Sequence, residues 1–250
     1  VLATKISYIN EMANMCEAVG ADVNDVRAGI GHDQRIGFRF FAPGAGSGGS
    51  CFPKDVRAMK ALAREKKMPM RLLEAVDYVN EEQKRVPYQK LGQAFNDQIR
   101  GTKIAIWGLA FKPETDDIRE APAFVLIEKL TPTGAKVRVY DPQALDTARE
   151  RLGDTVPYCE DAYLAASGAD AVVIMNEGNE FKETDFDKLR STMNGNVIID
   201  GRNLFAPDTP AKAGFVYSSI GRATAYPGFN TPLPFDQHQH QPAATSESAR

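Results

Sequence analysis

The sequence predicts an α/β protein in two parts: a helical part over residues 1–97, then a parallel β-sheet with helices on both faces over residues 101–227. Three observations carry that prediction. Leu2, Ile6, Ile9, Ala13, Cys16 and Gly20 recur at three- and four-residue steps, tracing one apolar-to-small stripe of an α-helix. Beyond Gly101 the pattern changes to short, near-continuous apolar runs such as Lys103-Ile-Ala-Ile-Trp107 and Ala171-Val-Val-Ile-Met175, alternating with helical stretches. Strands apolar on both sides need cover on both faces, which is the arrangement of a parallel sheet wrapped by helices. Between the helical stretches of the first part lies a long loop of glycine and serine.

Taken in order, the first helix occupies residues 1–20, with Gly20 as its C-cap. No capping residue precedes Val1, so the chain is expected to begin inside an element of a longer protein. Asp22 or Asn24 caps a short helix through Ile30. A polar connector, Gly31-His-Asp-Gln-Arg35-Ile-Gly37, leads through Phe38-Arg-Phe-Phe41 into the glycine loop. A helix over 55–67 is expected to bury Val56, Met59, Leu62 and Ala63. Another over 70–96 places Leu72, Leu73, Val76 and Val79 in the core, with Pro87 breaking or kinking it. The second part should read strand 103–108, helix 121–130, strand 136–140, helix 162–167, strand 171–175, helix 186–193 and strand 196–200. Residues 228–250 are rich in Pro, Gln, His and Ser and are expected to be disordered.

Composition narrows the class. Lys+Arg 30 against Asp+Glu 33 gives a formal charge of -3, without the basic excess of a nucleic-acid groove or an anionic membrane surface. No apolar run is long enough to span a bilayer, and no signal peptide is apparent. Cys16, Cys51 and Cys159 are odd in number and widely spaced, and His32, His238 and His240 form no ligand pattern, so neither a disulfide framework nor a metal site is expected. The cytoplasm is the default location.

The chemistry concentrates in Gly44-Ala-Gly-Ser-Gly-Gly-Ser-Cys51-Phe-Pro-Lys-Asp55. Glycines allow close backbone approach to a ligand, and Pro53 suits the first turn of a helix. A helix N-terminus favours an anion, so a thiolate at Cys51 would be stabilised there. Asp55 follows one helical turn later on the same face, within reach to act as a base or to position water. The alternative is a plain glycine loop before a helix with an inert, half-buried cysteine.

The second part contains a strand, a glycine turn, a helix and a strand ending in Asp141, the layout of a dinucleotide-binding unit. Its turn, however, is Gly108-Leu-Ala-Phe-Lys112-Pro113. The second and third glycines that admit a pyrophosphate are missing, and Phe111 and Lys112 fill their place. Asp141 therefore reads as a strand-end turn residue. The sheet still offers a crevice at the carboxyl ends of its strands, and Lys112, Arg119 and Arg202 are the cations that reach it. Two or three cations over such a crevice suit an anionic, phosphorylated ligand.

Gly48-Gly-Ser-Cys51-Phe-Pro-Lys-Asp55, the run from Gly108 to Pro122 (Gly-Leu-Ala-Phe-Lys-Pro-Glu-Thr-Asp-Asp-Ile-Arg-Glu-Ala-Pro) and Val139-Tyr-Asp-Pro142 resemble the bacterial UDP-glucose 6-dehydrogenase family. The resemblance covers nearly all of the chain except its tail. It implies a central helical dimerisation domain and a C-terminal Rossmann-like domain that binds the UDP moiety, with the family's N-terminal NAD-binding Rossmann domain absent from this chain. It also implies oxidation of UDP-glucose by two NAD molecules, with the aldehyde held on a cysteine as thiohemiacetal and then thioester. By this resemblance Cys51 is the nucleophile and Asp55 the water-activating or proton-relaying acid. Phe40, Phe41, Ala42, Pro43, Gly44 and Gly48 wrap the sugar nucleotide. Phe111, Lys112 and Arg202 bind it from the second part. Lys54 and Arg119 approach NAD, and Arg35 reaches the substrate of the other subunit in a homodimer. The family's catalytic lysine and a nearby asparagine fall upstream of Val1, and Ser47 stands where an aromatic residue is common. The chain alone is accordingly expected to be inactive. GDP-mannose and UDP-N-acetylmannosamine are alternative substrates, and a non-catalytic nucleotide-sugar-binding or dimerisation module is the alternative class.

Overall fold

The computed structural model describes residues 1–50 and 52–228. Helices α1 (Leu2–Val19), α2 (Val23–Gly31), α3 (Phe52–Glu65), α4 (Arg71–Gln83) and α5 (Val86–Ala94) come first. They are followed by β1 (Lys103–Trp107), α6 (Pro122–Leu130), β2 (Lys136–Tyr140), α7 (Leu145–Leu152), α8 (Ala162–Ala166), β3 (Ala171–Ile174), α9 (Asn179–Lys182), α10 (Phe186–Thr192), β4 (Val197–Asp200), α11 (Asp208–Lys212) and β5 (Val216–Ser219). The expected disorder of 228–250 concerns residues that, from 229 onward, lie outside the described ones.

Local signals account for the element ends. Gly20 closes α1 in the left-handed region (φ 73°), where glycine has no Cβ to clash. The Asp22 carboxylate accepts from the Asn24 N–H at 2.7 Å and caps α2. The expected helix over 70–96 is two helices, separated before Pro87, which sits in the first turn of α5 where its missing N–H is harmless.

The five strands are all parallel, in the order β2-β1-β3-β4-β5. Alternation along each strand feeds two cores. Ile104, Ile106, Val137, Val139, Val173 and Ile199 point to one side, against Leu91 of α5 and Phe124, Leu126, Ile127 and Leu130 of α6. Ala105, Trp107, Val172, Ile174, Ile198 and Tyr217 point to the other, against Ala162, Ala165, Phe181 and Leu189 from α8, α9 and α10. Each fully buried side chain of this kind contributes about 1.5–3 kcal/mol, so the doubly covered sheet is the main source of stability. The order reverses direction between β1 and β3, which opens a crevice at the carboxyl ends of those strands.

Asp141, just after β2, is buried. Its Oδ2 accepts from the N–H groups of Leu109 (2.7 Å) and Ala110 (3.0 Å), and its Oδ1 from those of Gln143 (2.9 Å) and Ala144 (2.8 Å). The turn amides that would face a phosphate in a dinucleotide site are thus taken by an internal carboxylate. This agrees with reading Asp141 as a turn residue.

A smaller core joins the helices to the sheet: Ile9, Ala13 and Cys16 of α1, Val23, Phe41 and Ile220. Two buried lysines reinforce the joint. Lys90 Nζ pairs with Glu17 at 2.7 Å, and the other Glu17 oxygen accepts from the Gly221 N–H at 2.6 Å. Lys84, 1% exposed, pairs with Glu81 at 2.7 Å and with Glu120 at 3.3 Å, and Glu120 also takes Arg57 of α3. Burial pushes the Glu120 carboxyl up, but the Arg57 hydrogen bond and the Lys84 charge outweigh it and leave it below its ordinary value of 4.5.

Three expected core residues face outward: Met59 (44% exposed), Leu62 (48%) and Leu72 (66%). Val56 and Ala63 of α3 and Val76 and Asn80 of α4 are buried, and Met59, Leu62 and Leu72 lie off those faces.

Two outcomes follow from these contacts. Asp141→Asn turns an NH2 group towards two N–H donors, so the urea midpoint should fall by the equivalent of about 2–3 kcal/mol with an unchanged slope. The stability from Glu120 is complete above pH 4.5 and is lost as pH falls through its lowered value. Glu120→Gln should therefore cost about 1 kcal/mol at neutral pH, given its partial exposure, and flatten the acid limb of the stability curve. Equal acid limbs in the two proteins would contradict this.

Candidate active site

The loop over residues 41–50 lies between α1 and α4 on one side and the carboxyl ends of the strands on the other. On the helical side, the Gly44 N–H donates to Asn10 Oδ1 (2.9 Å) and Gln83 Nε2 donates to the Gly44 carbonyl (2.8 Å). Ser47 donates through its N–H (2.8 Å) and its Oγ (2.9 Å) to Asn80 Oδ1, and Asn80 Nδ2 donates to the Ser47 carbonyl (3.1 Å). On the sheet side, the Ala45 N–H donates to the Gly201 carbonyl (2.8 Å), Arg202 Nη1 to the Gly46 carbonyl (3.1 Å), and the Gly49 N–H to the Arg119 carbonyl (2.7 Å). The approach is tight enough to need glycine. A Cβ at Gly48 would stand 2.5 Å from the Glu120 carbonyl oxygen, and Gly49 combines φ 89° with a Cβ position 2.8 Å from the Phe111 ring.

Cys51 lies outside the described residues. In sequence it falls between Ser50 of the loop and Phe52, where α3 begins. The described cysteines make a poor alternative nucleophile: burial pushes the thiols of Cys16 and Cys159 up, away from the thiolate. Asp55 is exposed in the first turn of α3, 3.9 Å from Lys54 Nζ. Phe40 holds φ 65°, a conformation costing a bulky residue about 1–2 kcal/mol. Its ring meets the edge of Phe52 at 6.2 Å. Phe41, Pro43 and Gly44 are buried and Ala42 is exposed.

From the second part, Phe111 reaches Gly49, and Lys112 stands over the Phe111 ring at 5.4 Å. Arg202 follows β4 in a turn fixed by its N–H to Asp200 Oδ1 (2.8 Å). Its Nε donates to the Met175 carbonyl (2.9 Å) and lies 3.4 Å from Glu177. Its Nη2 is buried and bonds to no described residue. Asp200 is pushed up by burial, against the opposing hydrogen bonds from Tyr217, Arg202 and Leu204. Lys54 and Arg119 line one open cleft with Gly49, Ser50, Arg57, Glu120 and Arg151, of about 600 Å³. Arg119 also pairs with Asp117 at 2.7 Å. Arg35 stands apart from this group: it is 88% exposed in the connector after α2, and its guanidinium forms a two-point pair with Asp33.

The loop's partners Asn10, Asn80 and Gln83 were not singled out in the sequence. The available signal is that Val76, Asn80 and Gln83 continue one helix seam at four- and three-residue steps with amides in place of apolar side chains. Among the described residues no group of three His, Cys, Asp or Glu side chains is arranged to hold a metal, and no helix is long and apolar enough to cross a membrane.

Comparison with known proteins agrees with this geometry. Residues 1–82 match the central domain of the UDP-glucose/GDP-mannose dehydrogenase family, and residues 105–207 match that family's UDP binding domain. A UDP-glucose 6-dehydrogenase of Pseudomonas aeruginosa is 45% identical over 229 residues, 90% of this chain and 51% of that protein. One from Rhizobium meliloti is 48% identical over 221 residues, 88% of this chain and 50% of that protein. Among solved structures, a UDP-glucose dehydrogenase from the hyperthermophilic archaeon Pyrobaculum islandicum superposes with a TM-score of 0.79 at 35% identity, covering 89% of this chain and 49% of that one. An NDP-N-acetyl-D-galactosaminuronic acid dehydrogenase from Methanosarcina mazei gives 0.79 at 28% identity, covering 88% and 48%. The chain thus spans about half the length of the curated relatives it matches. With two successive parts of one family matched across most of its length, and a parallel sheet and glycine loop arranged as described, the chain belongs to the UDP-glucose/GDP-mannose dehydrogenase family.

Proposed function

We propose that this chain is the substrate-binding and nucleophile-bearing portion of an NAD-dependent UDP-glucose 6-dehydrogenase of the cytoplasm, forming UDP-glucuronate. The observation that carries the reading is Arg202. Two of its nitrogens are anchored to backbone carbonyls of the glycine loop and of the end of β3, and the buried third is left for an anion. A guanidinium fixed in that way, at the switch point of a parallel sheet, suits a diphosphate. Phe111 and Lys112 contribute from the turn after β1, and Phe40, Phe41, Ala42, Pro43, Gly44 and Gly48 close over the sugar.

Once the C6 alcohol has reached the aldehyde, the Cys51 thiolate adds to C6 and forms a C–S bond. Loss of hydride from that tetrahedral carbon leaves a thioester. Water then adds at the same carbon, Asp55 takes its proton, and the C–S bond breaks to return the thiolate and release the carboxylate. NAD, when bound, supplies the two-electron acceptor for each oxidation. Lys54 and Arg119, which line the open cleft beside Gly49 with Arg57, Arg151 and Glu120, are assigned to approach the cofactor from outside its own binding domain. Arg35 is assigned to the partner's substrate in a homodimer formed through the helical part. Exposed apolar side chains on α1, α3 and α4, including Met15, Met59, Leu72 and Tyr78, support that surface.

Titration calorimetry with UDP-glucose, GDP-mannose and UDP-N-acetylmannosamine should rank UDP-glucose first. Arg202→Ala should weaken binding about 10- to 100-fold, the value of a charge-assisted hydrogen bond; an unchanged affinity would overturn the assignment. In a polypeptide joining this chain to an NAD-binding domain, Cys51→Ala should abolish NADH formation while leaving UDP-glucose affinity within about twofold.

A further inference from the structure

We infer that Asn80 and Gln83 of α4 are positioning residues for the chemistry at Cys51, acting by fixing the register of the glycine loop. The inference rests on the proposed function for what Cys51 does, and on the structure for how the loop is held. Asn80 and Gln83 are 9% and 1% exposed, and Asn10, which faces them from α1, is 1% exposed. A buried amide costs free energy unless its polar atoms are paired. An apolar seam would hold α1 against α4 equally well. The amides are instead spent on loop backbone: Asn10 on the Gly44 N–H, Gln83 on the Gly44 carbonyl, and Asn80 on the N–H, Oγ and carbonyl of Ser47.

The orientation of these groups is forced. A backbone N–H only donates and a carbonyl only accepts, so Asn80 must turn Oδ1 to the Ser47 N–H and Nδ2 to its carbonyl. Gln83 must turn Nε2 to Gly44, and its Oε1 then accepts from Asn14 Nδ2 at 2.9 Å, which locks the side chain from α1. A loop slipped by one residue would present the wrong backbone group to each amide. Four of the five contacts are to backbone and so are specific for register; the fifth is to the Ser47 hydroxyl. Ser47 is four positions before Cys51 in the sequence, and Arg202 holds the same loop from the sheet side through Gly46. A support of this kind separates placement of the cysteine from affinity for the nucleotide.

The test measures the rate of Cys51 alkylation by iodoacetamide, read by peptide mass spectrometry, with and without saturating UDP-glucose. Affinity for UDP is measured alongside by calorimetry. Asn80→Leu removes all three hydrogen bonds to Ser47, and Asn80→Asp keeps the two accepted by Oδ1. Asn80→Leu should change the alkylation rate about tenfold and lose protection by UDP-glucose, with UDP affinity within about twofold, because small displacements of a reacting group have large effects. Asn80→Asp, which turns a carboxylate oxygen to the Ser47 carbonyl, should fall between wild type and Asn80→Leu. If Asn80→Leu does not fold, Ser47→Ala and Gln83→Leu, which remove one and two hydrogen bonds, should show smaller changes in the same direction. Wild-type reactivity and protection in the variants that fold would overturn the inference, and so would a loss of UDP affinity equal to the change in reactivity. Failure of UDP-glucose to protect the wild-type cysteine would instead count against the proposed substrate, and the alkylation rates alone would still decide the positioning role.

Discussion

The structure depends on how a loop almost without side chains is held in place. Between Gly44 and Ser50 four residues are glycine, so apolar burial contributes little and the backbone must be fixed through its own polar groups. Amides of α1 and α4 meet the N–H and carbonyl of Gly44 and of Ser47, and the sheet side meets the N–H groups of Ala45 and Gly49 and the carbonyl of Gly46. The loop is therefore in register only when the helical part and the sheet are in register with each other. This explains why two lysines are buried at the joint. Lys84 and Lys90 each carry a charge that would be very costly there unpaired, and each finds its acid on a different element. A misplaced sheet would take Glu120 from Lys84 and Ser218 from Lys90, while Glu81 and Glu17 would stay beside them. The contacts to Glu120 and Ser218 are the ones that tie these charges to the position of the sheet.

The parts legible in the sequence are those where periodicity and burial coincide. The strands over Lys103–Trp107, Ala171–Ile174 and Val197–Asp200 are near-continuous apolar runs, and Lys136–Tyr140, at the sheet edge, alternates Val137 and Val139 with Lys136 and Arg138. β5 was not expected, because Val216-Tyr-Ser-Ser219 carries polar side chains at an edge strand. α7 was missed for the opposite reason: Leu145–Leu152 is mostly charged and buries little beyond Ala148. Met59, Leu62 and Leu72 show the limit of the method, since a helical stripe reveals which side chains share a face but not whether that face has a neighbour. At the site, Cys51, Asp55 and the cations stand out by residue type. Asn80 and Gln83 do not, because periodicity counts an amide as a solvent-facing residue and nothing in the sequence says that a backbone carbonyl waits opposite it.

The turn after β1 shows how a strand–turn–helix unit can be kept while its ligand chemistry changes. In a dinucleotide site the turn amides meet a phosphate. Here those of Leu109 and Ala110 meet Asp141, and Gly108 is needed for another contact, since a Cβ there would lie 2.3 Å from that of Asn176. Asn176 is itself buried and donates to the Ala110 carbonyl at 3.1 Å. The N–H groups of Gly108, Leu109, Ala110 and Phe111 all meet the protein's own acceptors.

With those four turn amides occupied, the proposed function assigns the anion to side-chain cations. Turn amides recognise a phosphate only at contact distance and in one geometry, whereas a guanidinium presents a forked set of donors from a longer arm. Arg202 gives up that freedom: two of its nitrogens are bound to carbonyls, one of them in the glycine loop itself. The residue proposed to meet the ligand is thus also a fastener of the loop that precedes Cys51 in the sequence. The amides of α4 hold the same loop from the opposite side. On the proposed function, these two grips would let the nucleotide end be bound tightly without disturbing the register of the loop.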